Sequence, residues 1–144
     1  DLLNAEVMNL SPWLEMILRL LLAAALGAGI GYQRERAGKA AGLRTHILVS
    51  TGAGLFTLVS IYGFGGAVVD ISRVAAGVVV GIGFIGAGVI LRGQREKEVA
   101  GLTTAATIWI TAAIGLAAGA GMYLVSVIAT AVAVGVLLLP KVRG

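Results

Sequence analysis

The sequence predicts an all-α, polytopic membrane protein with five transmembrane helices in one domain over residues 1–144, its N-terminus outside and its C-terminus cytoplasmic. Three observations predict it. Residues 99–140 contain no charged side chain, and no water-soluble domain of this size could bury so long an apolar run. The chain is 58% hydrophobic and only 12% charged, outside the range of ordinary globular or disordered chains. Nine of its eleven basic residues fall in alternate connections between apolar segments, the positive-inside pattern of a bacterial multispan protein.

The first helix is placed at about 13–33. Only fourteen uncharged residues separate Arg19 from Arg34, so a crossing must begin near Trp13 and take in Glu15 and Arg19. These stand at i and i+4 and can pair across one turn, which lowers the cost of entering the membrane edge. The second helix, about 45–62, lies in a stretch whose one ionisable group is His46. The third, about 71–91, is free of charge from Val74 to Leu91. The 42 residues of 99–140 would run about 63 Å as one helix, roughly twice a 30 Å hydrocarbon core. They must cross twice, as helices at about 101–118 and 122–139, with the turn at Gly119-Ala120-Gly121 and Pro140 closing the last span.

The basic residues orient the bundle. Arg34, Arg36, Lys39 and Arg44 follow the first helix, Arg92, Arg95 and Lys97 follow the third, and Lys141 and Arg143 follow the fifth. Arg73 and Arg19 lie on the other side. The net charge of +4 is therefore a topology signal first, and nothing resembles a nucleic-acid-binding motif. A cleaved signal peptide is rejected, because acids rather than a basic region precede the first apolar segment and its removal would leave the remaining loops facing the wrong way. The chain does not begin with Met, which suggests a trimmed or partial chain.

Twenty-two glycines would weaken helices in water, but between membrane helices small residues permit close approach. Gly81-Ile82-Gly83-Phe84-Ile85-Gly86 spells a dinucleotide-binding G-x-G-x-x-G, yet it lies inside a membrane span that continues through Gly88, without the strand, turn and acidic residue that fingerprint requires. Helix packing is the reading for Gly77, Gly81, Gly83, Gly86 and Gly88. Small-xxx-small steps at Gly27/Gly31, Gly77/Gly81 and Gly115/Gly119 suggest packing within the chain or a homo-oligomer, a dimer first, with the third helix as the first choice of face.

The connection holding Arg34, Glu35, Arg36, Lys39, Arg44, Thr45 and His46 is the most chemically loaded segment. Its four cations can bind anionic lipid headgroups, a phosphate or an acidic partner surface, each worth about 1 kcal/mol near an anionic leaflet; the plainer reading is positive-inside anchoring. A lone His46 lacks the further ligands a metal requires. Thr103, Thr107 and Thr111 recur on one helix face beside Thr104, near Trp109. Their hydroxyls either bond back to their own helix or form a polar seam with Ser50, Thr51, Thr57 and Ser60. With no cysteine, one histidine and Glu15 the one carboxylate within a span, neither catalysis nor a carboxylate-lined magnesium pore is well served. No catalytic residue, metal site or cofactor is expected.

Arg34-Glu35-Arg36 through Gly42-Leu43-Arg44-Thr45-His46, the run from Gly81 to Ile90, and Gly101-Leu102-Thr103-Thr104-Ala105-Ala106-Thr107-Ile108-Trp109 together resemble the bacterial MgtC/SapB family, in order and over nearly the whole chain. The resemblance implies an inner-membrane protein associated with magnesium limitation and, in intracellular pathogens, with survival in the host, whose best-known member regulates other membrane machinery, ATP synthase included, rather than carrying magnesium. The family's virulence branch commonly has Asn at the positions of His46 and Thr103 and continues into a soluble C-terminal domain. This chain stops at Gly144, as a short member or a truncated one. The expected function is that of a non-enzymatic regulator in magnesium or envelope homeostasis acting through lipids or membrane partners, with an ion transporter or channel at an oligomer interface as the alternative.

Overall fold

The computed structural model describes residues 11–66, 70–93 and 101–140. Arg95, Lys97, Lys141 and Arg143, which carry part of the positive-inside count, lie outside them.

Five α-helices follow one another: α1 Ser11–Arg36, α2 Leu43–Leu58, α3 Ser72–Gly93, α4 Leu102–Gly119 and α5 Tyr123–Leu137. A short π-helix, Val59–Gly63, extends α2 by a further turn. Four stretches, Pro12–Arg36, Leu43–Gly63, Ser72–Leu91 and Leu102–Gly119, are long and apolar enough to cross a membrane. α5 is apolar but has 15 residues, about 22 Å of helix. The sequence reading extended this last span by two or three residues, because Leu138 and Leu139 are apolar; the chain instead leaves the helix just before Pro140, which cannot continue it.

The helix ends have identifiable causes. α1 stops at Gly38, whose φ of +68° lets the Gly38 N–H reach the Glu35 carbonyl and the Lys39 N–H reach that of Arg34, at 3.1 Å each. This paired closure satisfies carbonyls that a helix end leaves open. Gly121, at φ +84°, ends α4 in the same way, with its N–H on the Ala118 carbonyl and that of Met122 on Ala117. The α4–α5 hairpin thus turns where the glycine pair indicated. At the start of α3 the Asp70 carboxylate accepts the Ser72 N–H at 3.0 Å, and the Ser60 hydroxyl ties the end of the α2 segment to the Ile71 carbonyl at 3.0 Å.

α4 is the centre of the bundle and touches the other four helices. Ile108 and Ile114 of α4 are fully or almost fully buried, and Ile114 packs with Ile30 of α1 and Ala133 of α5. α3 is the opposite case: it lies mainly along α4, and no residue of its apolar span falls in the buried class apart from Gly86 near its end. Its large side chains Val79, Val80, Phe84 and Ile85 are exposed. An apolar helix so exposed requires an apolar solvent, because oil-like surface on this scale is unfavourable in water.

Candidate functional site

α1, α2 and α4 meet along a seam that is polar inside and closed by glycine. In α2, His46, Ser50, Gly54 and Thr57 are buried and succeed one another at four, four and three residues, one face of a helix. Gly27 and Gly31 of α1 lie against it. A Cβ on Gly27 would stand 2.6 Å from the His46 carbonyl oxygen and 2.8 Å from the Ser50 Cβ, and one on Gly31 would stand 2.8 Å from the Leu43 Cα. From the other side Gly115 of α4 presses against the Ser50 backbone, and a Cβ on Gly119 would lie 2.6 Å from the Gly54 carbonyl oxygen. Two of the three glycine steps in the sequence therefore serve packing within the chain.

The threonines divide between two roles. Thr107 donates to the Thr103 carbonyl at 2.6 Å and Thr111 to the Thr107 carbonyl at 2.7 Å, each hydroxyl satisfied by its own helix. Thr57 does the same toward Ala53 at 2.8 Å. Thr104 instead accepts a hydrogen bond across the seam from Arg34 Nη2 at 2.8 Å.

Two charged clusters close the ends of α4. At its C-terminus Arg19 donates to the Gly119 carbonyl at 3.2 Å and to Glu15 at 2.7 Å, with its guanidinium 5.7 Å from the Tyr62 ring centroid. A cation at the carbonyl end of a helix is favourably placed, so the predicted Glu15–Arg19 pair is present and also fastens α1 to α4. At the N-terminus lies Arg34, only 3% exposed, with its Nε buried and, among the described residues, unpartnered. Close by, His46 is fully buried. Its Nδ1 lies 2.8 Å from the Gly42 carbonyl, which makes Nδ1 the donor, while Nε2 has no partner. Arg19 Nε, Ser50 Oγ, Thr51 Oγ1 and Gln33 Oε1 are likewise buried and, among the described residues, unpartnered.

The loaded connection does not form one surface. Arg36, Lys39 and Arg44 are exposed, with Arg36 donating to the Tyr32 hydroxyl at 3.1 Å. Thr45 is half-buried. Arg34 and His46 turn inward. Glu35 accepts the Leu43 N–H at 3.0 Å, so its carboxylate serves the start of α2, where negative charge suits the helix dipole. On α3, Gly86 meets Ala105 of α4, whereas a Cβ on Gly77, Gly81, Gly83 or Gly88 would meet nothing within 4 Å. Trp109 and Thr103 face outward. Gly77 and Gly81 instead border an apolar groove of about 650 Å³ between α2 and α3, with Leu48, Gly52, Phe56 and Ile85. The Arg34–Thr104 contact was missed by the sequence reading, although Gly27, Gly31 and Arg34 stand at four and three residues on α1 and so share the inward face.

These features define a polytopic helical membrane protein whose charges are fastened to the ends of one central helix. The chain belongs to the MgtC family, whose model matches residues 20–143. It is 53% identical over 115 residues to YhiD of Escherichia coli strain K12, named as a candidate magnesium transporter, covering 76% of this chain and 53% of YhiD. It is 44% identical over 138 residues to SrpB of Synechococcus elongatus, covering 89% of this chain and 76% of SrpB. It is 48% identical over 107 residues to MgtC of Salmonella typhimurium strain LT2, covering 74% of this chain and 44% of MgtC. The chain thus spans about half the length of YhiD and somewhat less of MgtC. None of these names is that of an enzyme. No solved structure matches the chain.

Proposed function

We propose that the protein is a non-enzymatic regulator in the bacterial inner membrane, linked to magnesium or envelope homeostasis and acting through membrane partners or lipids. The magnesium link rests on family membership and on the name of YhiD. The observation that favours regulation over conduction through a single bundle is the construction of its polar interior. The seam is pinched by backbone contacts at Gly27, Gly115 and Gly119, and its α4 N-terminal end holds the buried guanidinium of Arg34. Mg2+ is small, holds its water shell tightly and seeks oxygen ligands; a fixed cation in a closed seam repels it. The exposed cations Arg36, Lys39 and Arg44 offer the cytoplasmic leaflet, or an acidic partner, about 1 kcal/mol each.

The open glycine face of α3 favours self-association, a second copy of α3 packing at Gly77, Gly81 and Gly88. An ion path at such an interface is the alternative reading. Flux separates the two: the purified protein in liposomes loaded with a Mg2+-sensitive dye is expected to leave uptake at the level of empty liposomes. Saturable Mg2+ uptake that scales with reconstituted protein would replace regulation by transport.

A further inference from the structure

We propose that Arg34 and the first turn of α4 form a binding site for a tetrahedral oxyanion of the phosphate class. The inference goes beyond the regulatory reading and holds whether or not the protein conducts Mg2+.

Donors of three kinds lie at or beside this helix start. Arg34 is held by Nη2 on the Thr104 hydroxyl at 2.8 Å, which fixes its guanidinium against the helix start and leaves Nε buried without an acceptor. The Thr104 hydroxyl accepts that bond, and among the described residues its own proton is donated to nothing. The third kind is backbone. The first bond inside α4 runs from the Ala105 N–H to the Gly101 carbonyl at 2.8 Å, so the N–H groups of Leu102, Thr103 and Thr104 have no partner within the helix. Gly101, the N-cap, has no side chain to cap them.

Charge points the same way. The N-terminus of an 18-residue helix carries about half a positive charge, and a buried guanidinium beside it adds a full one. Two positive groups out of water are stable together only with an anion between them. Among the described residues Arg34 has no carboxylate partner, and its sequence neighbour Glu35 is occupied by the Leu43 N–H. The contrast with Arg19 is informative. That arginine also has a buried, unpartnered Nε, but it meets the carbonyl end of the same helix and its own carboxylate, Glu15, so its charge is balanced within the chain. Leu102 and Thr103 are exposed while Arg34 and Thr104 are buried, so the site has a buried floor and an open rim. A phosphate suits it better than a carboxylate, because its larger set of oxygens can serve a guanidinium, a hydroxyl and helix N–H groups at once.

The test is thermal unfolding of the full chain in nanodiscs of zwitterionic lipid. Inorganic phosphate is compared with chloride at equal ionic strength, and a second set of nanodiscs contains phosphatidylglycerol. Binding to the folded state raises the midpoint by mass action. A saturable rise of a few degrees with inorganic phosphate identifies a free phosphate ligand. A rise confined to the phosphatidylglycerol discs identifies the same chemistry on a lipid headgroup. Either rise must vanish in Thr104→Val, which keeps the side chain's shape, and in Arg34→Gln; if Arg34→Gln does not fold, Thr104→Val alone decides. No anion-dependent rise in the parent protein, or a rise of equal size in Thr104→Val, overturns the proposal. So does phosphate binding that is absent from the parent and appears only in the Glu96→Gln, Glu98→Gln double variant, since the partner of Arg34 would then be a carboxylate of the chain itself.

Discussion

Replacing Gly115 by alanine tests the glycine-closed seam directly, because the outcome has opposite sign at two glycines that look alike in sequence. A Cβ on Gly115 would stand 2.8 Å from the Ser50 Cα and from the Ser50 carbonyl carbon, with the carbonyl oxygen closer still. Carbon atoms prefer 3.5–4.0 Å, so α2 and α4 would have to part by roughly 0.7 Å or more. The obstacle is backbone and cannot rotate aside. Overpacking of this kind costs about 1–3 kcal/mol, against about 1 kcal/mol gained from the better helix propensity of alanine. Gly29→Ala supplies the control, since a Cβ there, on the exposed face of α1, meets nothing within 4 Å; it keeps the propensity gain of up to about 1 kcal/mol and adds no clash. The two single variants should therefore differ by about 1–3 kcal/mol. Reversible unfolding by titration of dodecyl sulfate into mild-detergent micelles, followed by circular dichroism, measures the difference. Equal midpoints for Gly115→Ala and Gly29→Ala, or a Gly115→Ala protein more stable than the parent, would refute the close approach of α2 and α4 at Ser50.

The remaining expectations concern association, the far end of the bundle, the helix start at Leu43 and orientation. Gly81→Leu places a bulky side chain on the open face of α3 and should shift the purified protein toward monomer in light scattering while leaving its helix content unchanged; an unaltered mass would remove that face as the contact. Arg19→Met loses the hydrogen bonds to Gly119 and Glu15 and should destabilise the fold by about 1–2 kcal/mol, below the full range for charged hydrogen bonds because Glu15 is partly exposed. Glu15→Gln, which keeps an acceptor, should have less than half that effect in the same titration. Glu35→Ala removes the acceptor of the Leu43 N–H and should lower stability by about 1 kcal/mol, with Glu35→Gln intermediate. For orientation, single cysteines at Gly65 and Ala40, both exposed, should label oppositely in intact cells with an impermeant maleimide, Gly65→Cys reactive and Ala40→Cys protected. Equal labelling would exclude the proposed topology.

The helices were legible because absence of charge over a fixed length is a one-dimensional property, and a bilayer reads it that way. The turn at Gly121 was equally open to inspection, since glycine is the residue that enters positive φ without penalty. What the sequence did not disclose was which helix lies at the centre. Every span is apolar all round, so hydrophobic periodicity gives no direction to the interior. The directional signal lay in the small and polar residues: Gly27, Gly31 and Arg34 on α1, His46, Ser50 and Gly54 on α2, and Thr104, Thr107, Thr111 and Gly115 on α4. On the third helix Gly86 alone meets a neighbour, Ala105, while Gly77, Gly81, Gly83 and Gly88 are left open. Spacing alone cannot tell a glycine pressed by a neighbour from one awaiting a partner. The basic connection was misleading for a related reason: counting its charges treats Arg34 and Arg36 alike, although two residues along a helix turn the side chain through more than half a circle.

The contact between Arg34 and Thr104 joins residues 70 positions apart, and that separation has a consequence for how the protein is made. Chains emerge from the ribosome at about 5–20 residues per second, so α1 waits roughly 4–14 s for the helix that accepts its arginine. During that interval α2 and α3 are made in turn, and the polar residues of α1 and α2 have no α4 against them. A long arginine near a helix end can reach up to the headgroups in the meantime, and the position of Arg34, two residues from the end of α1, permits that. His46 and Ser50 are too short to do so and shelter against Gly27 and Gly31, whose missing side chains leave α2 room to dock on α1 at once. The order of the helices along the chain thus matches an order of assembly in which a two-helix hairpin forms first, α3 enters as a bystander, and arrival of α4 draws the arginine inward and completes the bundle.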